Sequence, residues 1–133
     1  VKVCSAAVAL LRSVETVNER LRQKNYSPIQ IGIGANYGPV ILGNIGSSER
    51  LNFTVIGEAV NLASRLESHT RALGPNTICA SASVRSRSGE MFEWKDLGPV
   101  KVKGYVEPIQ TFQLIASVLT RESLTKNKDS RAF

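Results

Sequence analysis

Asn52-Phe53-Thr54-Val55-Ile56-Gly57-Glu58-Ala59-Val60-Asn61-Leu62-Ala63-Ser64-Arg65-Leu66 is the stretch on which the reading of this chain turns. A β-rich run, Phe53 to Ile56, meets a glycine, and a helical pattern starts directly after it. Ala59, Leu62, Ala63 and Leu66 make an apolar row, while Asn61 and Arg65, four residues apart, share another face of the same helix. By spacing alone this is an ordinary polar pair on a surface helix. It is also a neutral amide and a permanent cation on a rigid element, able to orient a sugar and to offset charge on a phosphate.

The surroundings choose between these readings. Upstream stand Ile31-Gly32-Ile33-Gly34-Ala35-Asn36-Tyr37-Gly38-Pro39-Val40, then Gly43-Asn44-Ile45-Gly46 and Arg50; downstream is Val100-Lys101-Val102-Lys103-Gly104. Taken together these segments resemble the catalytic domain of the class III nucleotide cyclases, which make cyclic AMP or cyclic GMP. The resemblance covers roughly residues 1–115 and is most specific over 53–66.

Bulk properties agree with a globular domain. The chain has 133 residues, 42% hydrophobic and 21% charged, enough for one domain with a real core. No apolar run has the length of a membrane span, and no signal peptide is visible, so membrane contact is not expected from this segment. Cys4 and Cys79 form no spaced metal or redox motif, which favours reduced thiols in a cytoplasmic domain. His69, the only histidine, rules out a multi-histidine metal site and reads as a solvated side chain. The net charge of +6 is spread along the chain and serves a polyphosphate ligand or an acidic partner as well as a nucleic acid.

Periodicity lays out the elements. Val3, Ala7, Leu10, Val14, Val17 and Leu21 predict an amphipathic helix over residues 2–24, laid on a sheet, with Asn25 and Pro28 ending it. Strands are expected over Ile29–Asn36, Val40–Ile45 and Leu51–Ile56, with a turn at Gly38-Pro39 and a loop over residues 46–50. A helix over 58–72 stops at Gly74-Pro75-Asn76; a strand at Thr77–Ala80 and a short helix at Ser81–Arg87 follow. Phe92–Leu97, Val100–Lys103 and Pro108–Ile115 read as the last strands. Residues 1–118 are thus one portion of a domain, and residues 119–133 a polar, mobile tail. Antiparallel strands with helices on one face make an α+β layer, which the resemblance sharpens to the ferredoxin-like cyclase fold without its N-terminal strand and metal-binding segment.

The glycines at 32, 34, 38, 43 and 46 do not make a dinucleotide loop. Gly32 to Gly38 holds one residue too many for G-x-G-x-x-G and sits inside a strand, so these positions read as strand kinks and close backbone approaches.

The resemblance assigns roles residue by residue. Thr54, seven residues before Asn61, matches the position that contacts the purine. Threonine there goes with the adenylyl-forming, bicarbonate-responsive branch, and guanylyl enzymes usually carry cysteine. A hydroxyl both donates and accepts, so its chemistry alone does not choose the base. Asn61 resembles the residue that orients the ribose, and Arg65 the one that stabilises charge on the α-phosphate as pyrophosphate leaves. Lys103 resembles the lysine that holds the β- and γ-phosphates. Lys101, two residues earlier on the same side of the expected strand, leaves the choice between the two open.

Cyclisation is an in-line attack of the ribose 3′-oxygen on the α-phosphorus, which two divalent cations held by carboxylates assist. The family's two metal-binding aspartates precede the helix with which this chain opens, and its own aspartates, Asp96 and Asp129, lie far downstream. The expected reading is therefore a fragment of an adenylyl cyclase catalytic domain acting on ATP in a head-to-tail homodimer. Its Mg2+ or Mn2+ ligands are expected upstream of Val1, so the fragment by itself is expected to be inactive. The alternative is a non-catalytic cyclase-homology module that binds a partner or a nucleotide. An RNA-binding ferredoxin-like domain needs aromatics on its central strands, and these offer only Phe53, so no nucleic-acid partner is expected.

Overall fold

Helix α1 spans Lys2–Gln23 and ends where the sequence carries Asn25. Asn25 takes a left-handed φ of 59°, Tyr26 N–H bonds back to Leu21 O at 2.9 Å, and Asn25 N–H to Arg22 O at 3.0 Å. This pair of bonds is a Schellman ending, and asparagine tolerates the conformation it requires. The computed structural model describes residues 2–117; the expected tail, 119–133, lies outside the described residues.

After α1 come strands β1 (Gly32–Ala35), β2 (Ile41–Ser47) and β3 (Arg50–Ile56), then helix α2 (Glu58–Leu73). Strand β4 (Thr77–Ser81), helix α3 (Ala82–Ser88), a 3₁₀ turn at Gly89–Met91, β5 (Phe92–Val100) and β6 (Ile109–Ser117) complete the described chain. Four strands form one sheet in the order β1-β4-β6-β5, and β2 and β3 form a separate antiparallel hairpin. β4–β6 and β5–β6 are antiparallel, but β1 and β4 run parallel, with Gly32 opposite Thr77 and Ala35 opposite Ala80. The mixed sheet follows from the helix between these strands, because α2 returns the chain to the end from which β1 began.

The helices occupy both faces of the sheet rather than the single face expected. Cys4 and Ala7 of α1 and Val84 of α3 pack with Ala35, Ile78, Ala80, Phe92 and Leu114 on one side. On the other side α2 lies over β1 and β4. Strand alternation makes this possible, since Ile78 and Ala80 point to the first layer and leave Cys79 for the second. The buried stripe of α1 is turned part-way from the expected row: Ala7 is buried and Val14 and Leu21 half-buried, Cys4 and Asn18 join them inside, and Val3, Leu10 and Val17 are exposed. Small residues let the helix approach closely, and the Asn18 amide fixes its rotation by bonding both the N–H (2.6 Å) and the C=O (2.9 Å) of Ile29.

Two strand expectations change. The first half of Ile29–Asn36 is held by side-chain amides instead of a ladder, with Asn18 pairing Ile29 and Asn76 pairing Ile31, so β1 starts only at Gly32. Phe92–Leu97 and the start of Val100–Lys103 are one strand, β5, with a register shift between Asp96 and Gly98. The Asp96 carboxylate accepts bonds there from Gly98 N–H (2.8 Å) and Gln110 Nε2 (2.7 Å), and Gly98 takes a φ of 74°. Pro99 is accommodated because β5 is an edge strand.

Candidate active site

The helix that carries Asn61 and Arg65 is seated on glycine. A Cβ at Gly34 would run into the Ala63 carbonyl and the Glu67 backbone nitrogen, and one at Gly32 into the Thr70 hydroxyl. With no side chains there, α2 lies directly on the β1 backbone, a close-approach use of glycine that answers the sequence expectation. At the helix entry Gly57 has a φ of 153° and abuts the Pro39 carbonyl, so the Tyr37–Val40 turn closes over the first turn of α2. Leu66 is fully buried beneath the helix, while Asn61 and Arg65 stand one turn apart on its exposed side. Among the described residues neither side chain makes a hydrogen bond or salt bridge, which leaves amide and guanidinium in solvent.

Lys103 does not sit on a strand. β5 ends at Val100, and residues 102–105 form a turn closed by Tyr105 N–H to Val102 O at 3.1 Å, with Gly104 at a φ of 92°. Positive φ at the third position is the requirement of a type II turn, and it places Lys103 at the second, outward corner. Val102 is buried and anchors the turn, and Lys101 and Lys103 are both exposed. The shared strand face expected for the two lysines is therefore replaced by a turn that gives Lys103 its own direction.

Tyr105, to which the sequence assigns no role, joins this turn to α2. Its hydroxyl donates to the Glu58 carbonyl in the first turn of the helix at 3.3 Å. Burial, then the Glu58 carboxylate, push the phenol above its ordinary value, and the Arg65 guanidinium pulls it the other way. The phenol thus senses Arg65 while belonging to the loop of Lys103. The Lys103 turn is thereby held at the first turn of α2, the helix that carries Asn61 and Arg65, and the adjacency of Tyr105 to Val-Lys-Gly is the one hint in the sequence.

Thr54 stands apart on β3, half-buried, opposite Gly43 of β2. Its hydroxyl donates to the Asn52 carbonyl at 3.2 Å, and nothing lies within 4 Å of where a Gly43 side chain would be. An open space therefore flanks the threonine. His69, half-buried on α2, has no acidic or thiol cluster around it, and no group of three or more His, Cys, Asp or Glu side chains comes together among the described residues. Among those residues no helix is long and apolar enough to cross a membrane.

Comparison with known proteins places this arrangement. The family model for the adenylate and guanylate cyclase catalytic domain matches residues 1–116. Adenylate cyclase 1 of Rhizobium meliloti is 29% identical over 115 residues, covering 86% of this chain and 17% of that protein. An adenylate cyclase of Anabaena cylindrica is 38% identical over 117 residues, covering 84% of this chain and 23% of that protein. The crystal structure of the adenylyl cyclase CyaB from P. aeruginosa has a TM-score of 0.75 at 32% identity, over 83% of this chain and 55% of that one. The guanylate cyclase domain of RhGC from Catenaria anguillulae, in complex with GTP, has a TM-score of 0.66 at 27% identity, over 84% and 60%. The chain spans about a fifth of the length of these two curated relatives and little more than half of the solved cyclases.

Proposed function

The chain belongs to the adenylate and guanylate cyclase catalytic domain family, and from that premise we propose that it carries the ribose- and phosphate-handling half of a site converting ATP to 3′,5′-cyclic AMP and pyrophosphate. The observation that carries this reading is the exposed Asn61–Arg65 pair on a helix clamped to the sheet, with the Lys103 turn tied to its first turn by Tyr105. In the reaction the ribose 3′-oxygen bonds to the α-phosphorus, the bond from that phosphorus to the bridging oxygen breaks, and the hydroxyl proton departs. Asn61 holds the ribose so that the 3′-oxygen stays in line. Arg65 offsets the charge that grows on the α-phosphoryl oxygens, which is worth most when the donor is in place beforehand. Lys103 binds the β- and γ-phosphates, and Thr54 meets the purine edge in the space left by Gly43.

The residues of this chain do not fit the Mg2+ or Mn2+ pair that the family implies. Asp96 spends its carboxylate on the β5 bulge, Asp129 lies outside the described residues, and no acidic cluster is assembled among those described. Carboxylates for such ions come, in this reading, from a second catalytic domain or from elsewhere in the full-length protein. The exposed β2–β3 hairpin supports a second domain, because apolar side chains cover both its faces: Ile41, Ile45 and Ile56 on one, Leu42, Leu51, Phe53 and Val55 on the other. The reading places the domain in the cytoplasm.

The test is Arg65→Ala in the full-length protein. kcat is expected to fall about a hundredfold, ~3 kcal/mol, with KM for ATP nearly unchanged. An unchanged kcat with weakened substrate binding would make Arg65 a ground-state contact. Residues 1–133 alone are expected to form no cyclic AMP with either ion, and appreciable product from them would overturn the assignment of the carboxylates.

A further inference from the structure

Asn36 follows the last residue of β1 and sits at the centre of a polar node joining three elements. Its Nδ2 donates to the Ala59 carbonyl in the first turn of α2 at 3.0 Å. Its Oδ1 accepts from Ser81 Oγ at 2.7 Å and from Ser83 Oγ at 3.3 Å, at the junction of β4 and α3. The two serine oxygens are 2.8 Å apart, and Ser83 Oγ also bonds the backbone of Tyr37, donating to its carbonyl at 3.2 Å and accepting from its N–H at 3.4 Å. The Ala59 carbonyl can only accept, so it leaves the amide one orientation, with its N–H pointing at the helix and its oxygen toward the two hydroxyls.

The position of that bond matters more than its strength. A strand-borne donor on a carbonyl of the first helical turn resists rotation of α2 about its own axis. Gly32 and Gly34 fix how closely the helix approaches but offer no side chain to stop it rolling. Side chains on a helix reach ~6 Å from its axis, so a roll of about 20° moves their tips by ~2 Å. A misplacement of about 1 Å already costs roughly a hundredfold in rate when the displaced group acts on reacting atoms.

We propose that Asn36 is a positioning residue for the Asn61–Arg65 pair: its amide sets the rotation of α2 and, through Ser81 and Ser83, locks it to the β4–α3 junction. This deepens the cyclase reading and rests on it. The experiment is a double-mutant cycle in the full-length protein. Asn36→Asp keeps the shape but replaces the N–H donor with an acceptor facing the Ala59 carbonyl. It is expected to lower kcat about tenfold, with KM for ATP changed less than twofold. In the Arg65→Ala background the same substitution is expected to cost less than twofold, because the guanidinium it would misplace is gone. Ser81→Ala, which takes one of two hydroxyls from the amide oxygen and a partner from Ser83, is expected to lower kcat in the same direction by a smaller factor, and it serves if Asn36→Asp does not fold. Undiminished kcat in Asn36→Asp, or a loss just as large without Arg65, would overturn the positioning role. Wild-type protein that makes no cyclic nucleotide would instead bring down the cyclase reading, and this inference with it.

Discussion

Helix α2 and the β2–β3 hairpin adjoin each other in the chain, meeting at Gly57, yet they are packed in opposite ways. α2 sits on backbone, because Gly32 and Gly34 remove every side chain between it and β1, and its core side is closed by Leu66 and Thr70. The hairpin pairs only with itself and leaves Ile41 71% and Phe53 70% exposed. The difference separates two tasks. In the proposed reading, a helix that holds an amide and a guanidinium to within about 1 Å needs a seat that cannot deform. An apolar arm with both faces uncovered suits the proposed second domain.

The sharpest way to break this contrast is to make one substitution in both regions. Gly34→Ala places a methyl against the Ala63 carbonyl, so α2 must lift, and a stability loss of ~3 kcal/mol is expected in chemical denaturation. Gly43→Ala meets open space and is expected to change stability by less than about 0.5 kcal/mol. Equal losses at both sites would erase the distinction.

Next in size is the effect expected at the hairpin. Phe53→Asp is expected to weaken self-association of the full-length protein by about thirtyfold, or ~2 kcal/mol, in sedimentation equilibrium, while the midpoint of unfolding of the monomer stays put. Unfolding of the monomer with association retained would make Phe53 a folding residue instead.

Thr54→Ala probes the space beside Gly43. The ratio of kcat/KM for ATP over GTP is expected to drop severalfold, the worth of one hydrogen bond at ~1 kcal/mol, with the rate on ATP largely kept. Lower thermal stability with the ratio intact would leave Thr54 as strand packing only.

The last effect, read only at alkaline pH, belongs to the core beneath α2. Burial pushes the Cys79 thiol from its ordinary 9.0 up to about 11. The unfolded chain therefore loses this proton first, so stability is full below pH 9 and declines as pH rises toward 11. Cys79→Ser should flatten that decline in a pH series of denaturant midpoints, and a slope identical to wild type would remove the thiol as its source.

Much of this was legible in the chain. The change from alternation to a helical period at Gly57 located β3 and α2 within one residue, and the Asn61–Arg65 spacing put the pair outside because Leu62, Ala63 and Leu66 claim the inner side. The seat of α1 was not. Its row of Val3, Leu10 and Val17 is as periodic as the buried one, and only the small size of Cys4 and Ala7 with the pairing of Asn18 to Ile29 decided which faces inward. The alternation from Val100 to Lys103 predicts a strand; the buried Val102 and the left-handed Gly104 make it a turn.

By itself the sequence determined which chemical groups α2 presents, where that helix begins, and that Gly32 and Gly34 mark a close approach. These follow from interactions within a few residues, which a local pattern encodes completely. The tertiary structure alone decided that Tyr105 would reach Glu58 across 47 residues and tie the Lys103 turn to the first turn of α2. It likewise decided that Asn36 would bond Ala59 on one side and Ser81 on the other. Each of those bonds needs a topology to bring its partners together, and no periodicity records which distant donor meets which acceptor.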